Sequence, residues 1–147
     1  KGIAIITALE VGKRRSLQEA LDRKRLTCSL DSYNILQPLL GDLDHEEFWV
    51  LFLNRRNELL SHECISRGGL AGTVADTRLI FRQAVLHKAT ALILAHNHPS
   101  GNPKPSTTDI RLTRKLVESG QIKDIAVLDH LIVCEKDYTS LADEGEI

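Results

Sequence analysis

The stretch TALILAHNHPSGNPKPSTTDIRL, Thr90 to Leu112, decides how this chain folds. It opens with a continuous apolar run that closes on two histidines, His96 and His98. A run of that length without polar alternation reads as a strand buried on both faces. PSGNPKP follows, Pro99 to Pro105, and its prolines and glycine make a stiff, sharply turning loop. A helix then begins near Ser106. Strand, rigid loop and helix in that order place the end of a buried strand next to the start of a helix.

Elements of the same kinds lie on either side. EFWVLFLN, Glu47 to Asn54, is a second apolar run, rich in aromatics, and reads as another buried strand with Trp49 in the core. Asn54 to Asn57 is a polar turn, and ELLSHECISRG after it reads as the antiparallel partner. Asp76 is placed to cap a helix through Leu86, with Leu79, Ile80, Ala84 and Val85 as its apolar stripe. IAVLDHLIVC, Ile125 to Cys134, is a third long strand, and Tyr138 to Leu141 a short last one. Upstream, Asp31 to Leu40 reads as a helix capped by Asp31 or Ser32, with Ile35, Leu36 and Leu39 on one face and Gly41 at its end. Before it, Ile3, Ile6, Leu9, Leu17, Ala20 and Leu21 recur at helical spacing. The sum is an α/β (α+β) domain, a mostly antiparallel twisted sheet flanked by helices.

The bulk properties fit one soluble compact domain with a short appendage. The chain has 147 residues, 42% hydrophobic and 27% charged. A net charge of -1 gives no global basic field to attract nucleic acid. No apolar run reaches the length of a bilayer span, and the apolar start is interrupted by Glu10 too early for a signal peptide. Cys28, Cys64 and Cys134 are odd in number, far apart and without a CxxC pair. They read as reduced thiols of a cytoplasmic protein. The first residue is Lys rather than Met, so the chain reads as a piece of a longer protein.

The chemistry lies in HNHPSGNPKPSTTD, His96 to Asp109. Residues two apart on a strand point to one face, so His96 and His98 form half of a metal site. The loop delivers Ser106 and Asp109 to a helix start, from which Asp109 can fold back as a third ligand. Two imidazoles and a carboxylate suit one zinc ion and leave a fourth position for water, the arrangement of a catalytic site. The bound water then ionises near neutral pH. A second reading stands beside this one. Ser-x-x-Asp at a helix start is also close to a capping box, and STTD alone reads as a cap. A zinc nucleobase deaminase is disfavoured, because His-x-Glu with a later Pro-Cys-x-x-Cys is missing.

His-x-His, seven residues and Ser-x-x-Asp resemble the JAMM (MPN+) metalloprotease motif. LILAHNHPSGNPKPSTTDIRLTRKL with the later LDHLIV resembles the RadC family within that group, over nearly all of Asp42 to Leu141. The resemblance implies a JAB1/MPN architecture, related to the cytidine deaminase fold, over residues 41–147. It implies zinc on His96, His98 and Asp109, and Ser106 as the hydroxyl that steadies water or oxyanion. It also implies a general-base glutamate at the start of an apolar strand, a place that Glu47 fits. Alternation alone does not separate Glu47 from Glu46, which faces the other side, and Glu58 and Glu63 are weaker rivals. The implied activity is amide or isopeptide hydrolysis of a protein or peptide. Residues 1–40 resemble the remnant of a helix-hairpin-helix segment, through which nucleic acid could be contacted in a longer chain. The alternative reading, linked to the family's DNA-repair name, is a binding module with a structural or vestigial metal site.

The other polar residues point less sharply. Asp129 and His130 lie inside the third strand, where a hydrogen-bonded structural histidine is expected and a supporting role behind the zinc is open. His45, His62 and His87 read as surface residues. The basic clusters Lys13 to Arg15 and Arg23 to Arg25 read as solvated helix faces. Oligomeric state is not written in the sequence.

Overall fold

A computed structural model describes residues 1–68 and 75–147, with every side chain among them except those of residues 16 and 19–21. The elements in order are α1 (Gly2–Leu21), α2 (Ser29–Leu40), β1 (Glu47–Leu53), β2 (Leu59–Arg67), α3 (Thr77–Leu86), β3 (Ala91–Asn97), α4 (Thr107–Ile122), β4 (Ala126–Val133) and β5 (Tyr138–Ser140). The strands form one sheet in the order β2-β1-β3-β4-β5. All pairings are antiparallel except β3 with β4. The mixed α/β fold expected from the sequence is therefore present. The parallel pair exists because α4 carries the chain back across the sheet, as a parallel connection requires.

Each face of the sheet has its own core. Phe48, Val50, Phe52, Leu92 and Leu94 pack against Ile80, Phe81 and Ala84 of α3 and Leu116 of α4. The other face sets Leu51, Leu53, Ile93, Ala95, Leu131 and Val133 against Leu36 and Leu40 of α2. All seven residues of β3 are buried, which explains its unbroken apolar run. Trp49 is only partly buried, at the margin of the second core. α2 starts at Ser29 rather than after Asp31 or Ser32. Asp31 instead reaches back to accept from the backbone N–H of Thr27 at 2.8 Å and its hydroxyl at 2.9 Å. Although grouped with residues 1–40 in the sequence reading, α2 is packed onto the sheet.

α1 is helical as its periodicity predicts. Its Ile3, Ile6, Leu9 and Leu17 are nonetheless exposed, while Ala20 and Leu21 have side chains outside the described set. Both basic clusters are exposed, as expected of solvated faces. Among the described residues no helix is long and apolar enough to cross a membrane.

The end of α4 is fixed by close packing. The Ile125 N–H donates to the Gly120 carbonyl at 2.9 Å, and a Cβ on Gly120 would collide with the Ile125 carbonyl oxygen. Gly120→Ala is expected to destabilise the fold by about 1–3 kcal/mol, as overpacking does. Thermal unfolding checks this. An unchanged midpoint would show that the helix and strand can separate without cost.

Candidate metal centre

His96 is the penultimate residue of β3 and shares the face of Leu92 and Leu94. Its neighbour across β1 is Phe48, whose ring stacks on it at 6.4 Å. His98 lies one residue beyond β3, but its N–H still donates to Val133 of β4 at 3.1 Å, so the chain stays extended. The two imidazoles therefore converge, with His96 Nε2 and His98 Nε2 2.9 Å apart.

The loop then turns back. The Gly101 N–H donates to the His98 carbonyl at 3.0 Å, and its φ of 81° is one that a side chain disfavours. The Asn102 carbonyl lies 2.8 Å from His98 Nδ1. A carbonyl only accepts, so His98 carries a proton on Nδ1. In its neutral form its Nε2 then presents a lone pair to the cluster.

At the start of α4 the two readings of STTD prove compatible. Ser106 is the N-cap: its hydroxyl accepts from the Asp109 N–H at 3.1 Å, and its own N–H donates to Asp109 Oδ2 at 2.7 Å. That is a full capping box. The same carboxylate places Oδ1 3.3 Å from His96 Nε2 and Oδ2 3.7 Å from His98 Nε2. One candidate ligand atom from each of His96, His98 and Asp109 lies within 4.8 Å of the others. Ligands about 2.0–2.2 Å from a tetrahedral zinc ion stand about 3.3 Å apart. Separations of 2.9, 3.3 and 3.7 Å bracket that value. The donor set fits such an ion in size and in chemistry.

Charge follows from this geometry. Burial works against the Asp109 carboxylate, but the facing His96 and His98 outweigh it and hold its carboxyl far below the usual range. Asp109 in turn raises His98 against the effect of burial, with smaller help from the Asn102 carbonyl and the Glu46 charge.

Behind His96 stands His130, fully buried on β4. His96 Nδ1 lies 2.8 Å from His130 Nε2, and His130 Nδ1 lies 2.6 Å from the Thr113 hydroxyl. Burial above all, with the nearby His96, pushes His130 well below an ordinary histidine. Asp129 has a separate task. It accepts from the Ser140 hydroxyl at 2.6 Å and the Ala142 N–H at 3.0 Å, which anchors the chain after β5.

The structure does not bring Glu47 into the cluster. Glu47 lies on the opposite face of β1 from Phe48 and His96, where Trp49 donates to it at 2.8 Å and Arg67 at 3.0 Å. His45 Nε2 is 2.9 Å away and the Cys64 thiol 3.7 Å. Burial raises the Glu47 carboxyl, but His45, Trp49, Arg67 and Cys64 together bring it below its ordinary value. Glu46, just before β1, has the parity of Phe48. Glu58 accepts from the Asn54 amide at 2.8 Å, and Glu63 lies 3.3 Å from His87. His45 and His62 are exposed and His87 half-buried.

Two residues with no mark in the sequence support the site. Buried Asn97 accepts from the Glu47 N–H at 2.7 Å and donates to the His45 carbonyl at 2.8 Å, tying the entrance of β1 to the end of β3. Thr113 is the other. Its position four residues after Asp109 on one helix is the only signal that could have found it.

A mixed sheet whose crossover helix returns an aspartate to two strand-end histidines defines a JAB-type domain. The family model described as a RadC-like JAB domain matches residues 26–146, and the chain belongs to that family. It is similar to a UPF0758 protein of Flavobacterium johnsoniae, 48% identical over 99% of this chain and 63% of that protein. A UPF0758 protein of Porphyromonas gingivalis is 43% identical over 99% of this chain and 64% of its own length. One from Methanosarcina mazei is 34% identical over 99% of this chain and 63% of its own length. The chain thus spans less than two thirds of these relatives.

The Glu47 network predicts acid sensitivity. A carboxyl lowered by folding contributes stability above its unfolded value, near 4.5, and that stability is lost as pH falls through the lower folded value. Glu47→Gln should cost about 1–3 kcal/mol at neutral pH and flatten the acid limb. Denaturant unfolding across a pH series measures both, and a variant with the acid limb of the parent would remove Glu47 from the account.

Proposed function

We propose that this chain is a zinc-dependent hydrolase that cleaves amide or isopeptide bonds in a protein or peptide, with one zinc ion per chain. The carrying observation is the meeting of His96 Nε2, His98 Nε2 and the Asp109 carboxylate around one point. The His98 nitrogen has its proton drawn to the far side by Asn102, so what faces the cluster is a lone pair. Neutral lone pairs this close repel one another, and a cation held between them would relieve that cost. Two imidazoles and one carboxylate suit zinc and leave a position open. Zinc held there would polarise a carbonyl and lower the pKa of water.

The chain's own groups take the remaining tasks. The Ser106 hydroxyl accepts from the Asp109 N–H, which leaves its proton to donate to a developing oxyanion. The general base is Glu46 rather than Glu47. Strand alternation puts Glu46 on the His96 side, and its charge acts on His98. From there it can take a proton from water and return it to the leaving amine. A groove of about 380 Å³ beside the same loop, lined by Asn102, Pro103, Pro105, Thr139 and Leu141, supports an extended polypeptide as substrate. The three free cysteines support a reducing, cytoplasmic setting.

Metal analysis of the purified protein should find one zinc per chain, and His96→Ala or Asp109→Ala should abolish it. Glu46→Gln should keep the zinc and lower turnover of a peptide library by about 10²–10⁴-fold. Glu47→Gln should retain turnover per folded molecule. A wild-type chain that holds no stoichiometric zinc sinks the proposal, and equal turnover in the Glu46 variant sinks the assignment of the base.

A further inference from the structure

The array behind His96 carries a direction. The Thr113 hydroxyl lies 2.7 Å from the backbone carbonyl of Asp109 and 2.6 Å from His130 Nδ1. A carbonyl has no proton, so the single hydroxyl proton of Thr113 goes to Asp109. Thr113 must then accept from His130, which puts the His130 proton on Nδ1 and leaves Nε2 a lone pair. His130 Nε2 faces His96 Nδ1 at 2.8 Å, so His96 donates from Nδ1. In the neutral ring its one remaining nitrogen, Nε2, is then a bare lone pair aimed at His98 and Asp109.

We infer that Thr113 and His130 are positioning residues that fix the His96 tautomer able to bind a metal ion. The opposite polarity is the natural failure. With no acceptor for its Nδ1 proton, His130 can carry the proton on Nε2, donate to His96 Nδ1 and force the His96 proton onto Nε2. That proton would occupy the cluster. The relay starts and ends on one residue: the Asp109 carbonyl sets the polarity, and the Asp109 side chain completes the cluster in front. Both imidazoles of the cluster are thereby oriented by a backbone carbonyl, His98 directly by Asn102 and His96 through two side chains. Ligand histidines are commonly oriented this way, and loss of the partner costs about 10–100-fold in metal affinity.

The inference rests on the metal reading for its affinity arm alone, and its proton arm is read without metal. Nitrogen-15 spectra of the metal-free wild-type chain, at a pH where its histidines are neutral, should show His96 and His130 both protonated on Nδ1. Thr113→Val keeps the side-chain shape and removes the acceptor. It should move His96 toward the Nε2-protonated form and weaken zinc binding about 10–100-fold in chelator competition. Thr113→Ser should restore both, which a loss of packing alone would not explain. Finding His96 protonated on Nε2 in the wild type overturns the inference. So does a folded Thr113→Val chain with wild-type zinc affinity and an unmoved His96 proton. A wild type that binds no zinc yet shows both Nδ1 protons would remove the proposed function and leave the relay standing.

Discussion

β3 is buried along its whole length, and two polar rings stand at its end. A buried imidazole without partners is costly, and every ring nitrogen there must be matched. Much of the fold around the site can be read as the answer to that demand. The stiff loop brings the Asn102 carbonyl to one nitrogen of His98. The parallel alignment of β4 with β3 sets His130 opposite Leu94, from where its ring reaches His96. α4 starts where the loop ends and contributes Asp109 and Thr113 from successive turns of one face. The nitrogens that remain are the two that face each other.

The sheet separates two kinds of carboxylate. On one face, Glu47 is held by Trp49, His45, Arg67 and Cys64, a saturated group that locks the entrance of β1. On the other, among the described residues, Asp109 faces His96, His98 and its own helix start. Both are held ionised, but for different reasons. Glu47 has its charge answered by hydrogen bonds that are complete. Asp109 has its charge answered by the two imidazoles it faces, which hold its carboxyl low against the effect of burial.

Much of this was legible in the sequence, for reasons that also explain what was not. The apolar runs at Glu47 to Leu53 and Ala91 to Asn97 announce strands because burial on both faces removes alternation. His-x-His and Ser-x-x-Asp are local patterns, and local geometry fulfils both. The choice between Glu46 and Glu47 was not local. It depends on which face of β1 the neighbouring strand and helices cover, and the pattern EEF is silent on that. His130 lies 34 residues from His96, and only the parallel pairing of β3 with β4 unites them. α2 begins earlier than predicted because Asp31 serves the turn before it rather than acting as the cap.

The placement of the three candidate ligands also bears on how the site is held. A structural zinc usually has four protein ligands and supplies folding energy that a small core lacks. This domain has a full core on each face of its sheet. The helix carrying Asp109 is fixed without metal, by its capping box at one end and by Leu116 and Gly120 against the sheet. Only three candidate ligands converge among the described residues. The core and the capping box order the helix start that carries Asp109, and the three side chains stand at nearly the spacing a zinc ion would require. These three side chains are preorganised: the cost of ordering them is offset during folding by hydrophobic burial and by their own hydrogen bonds.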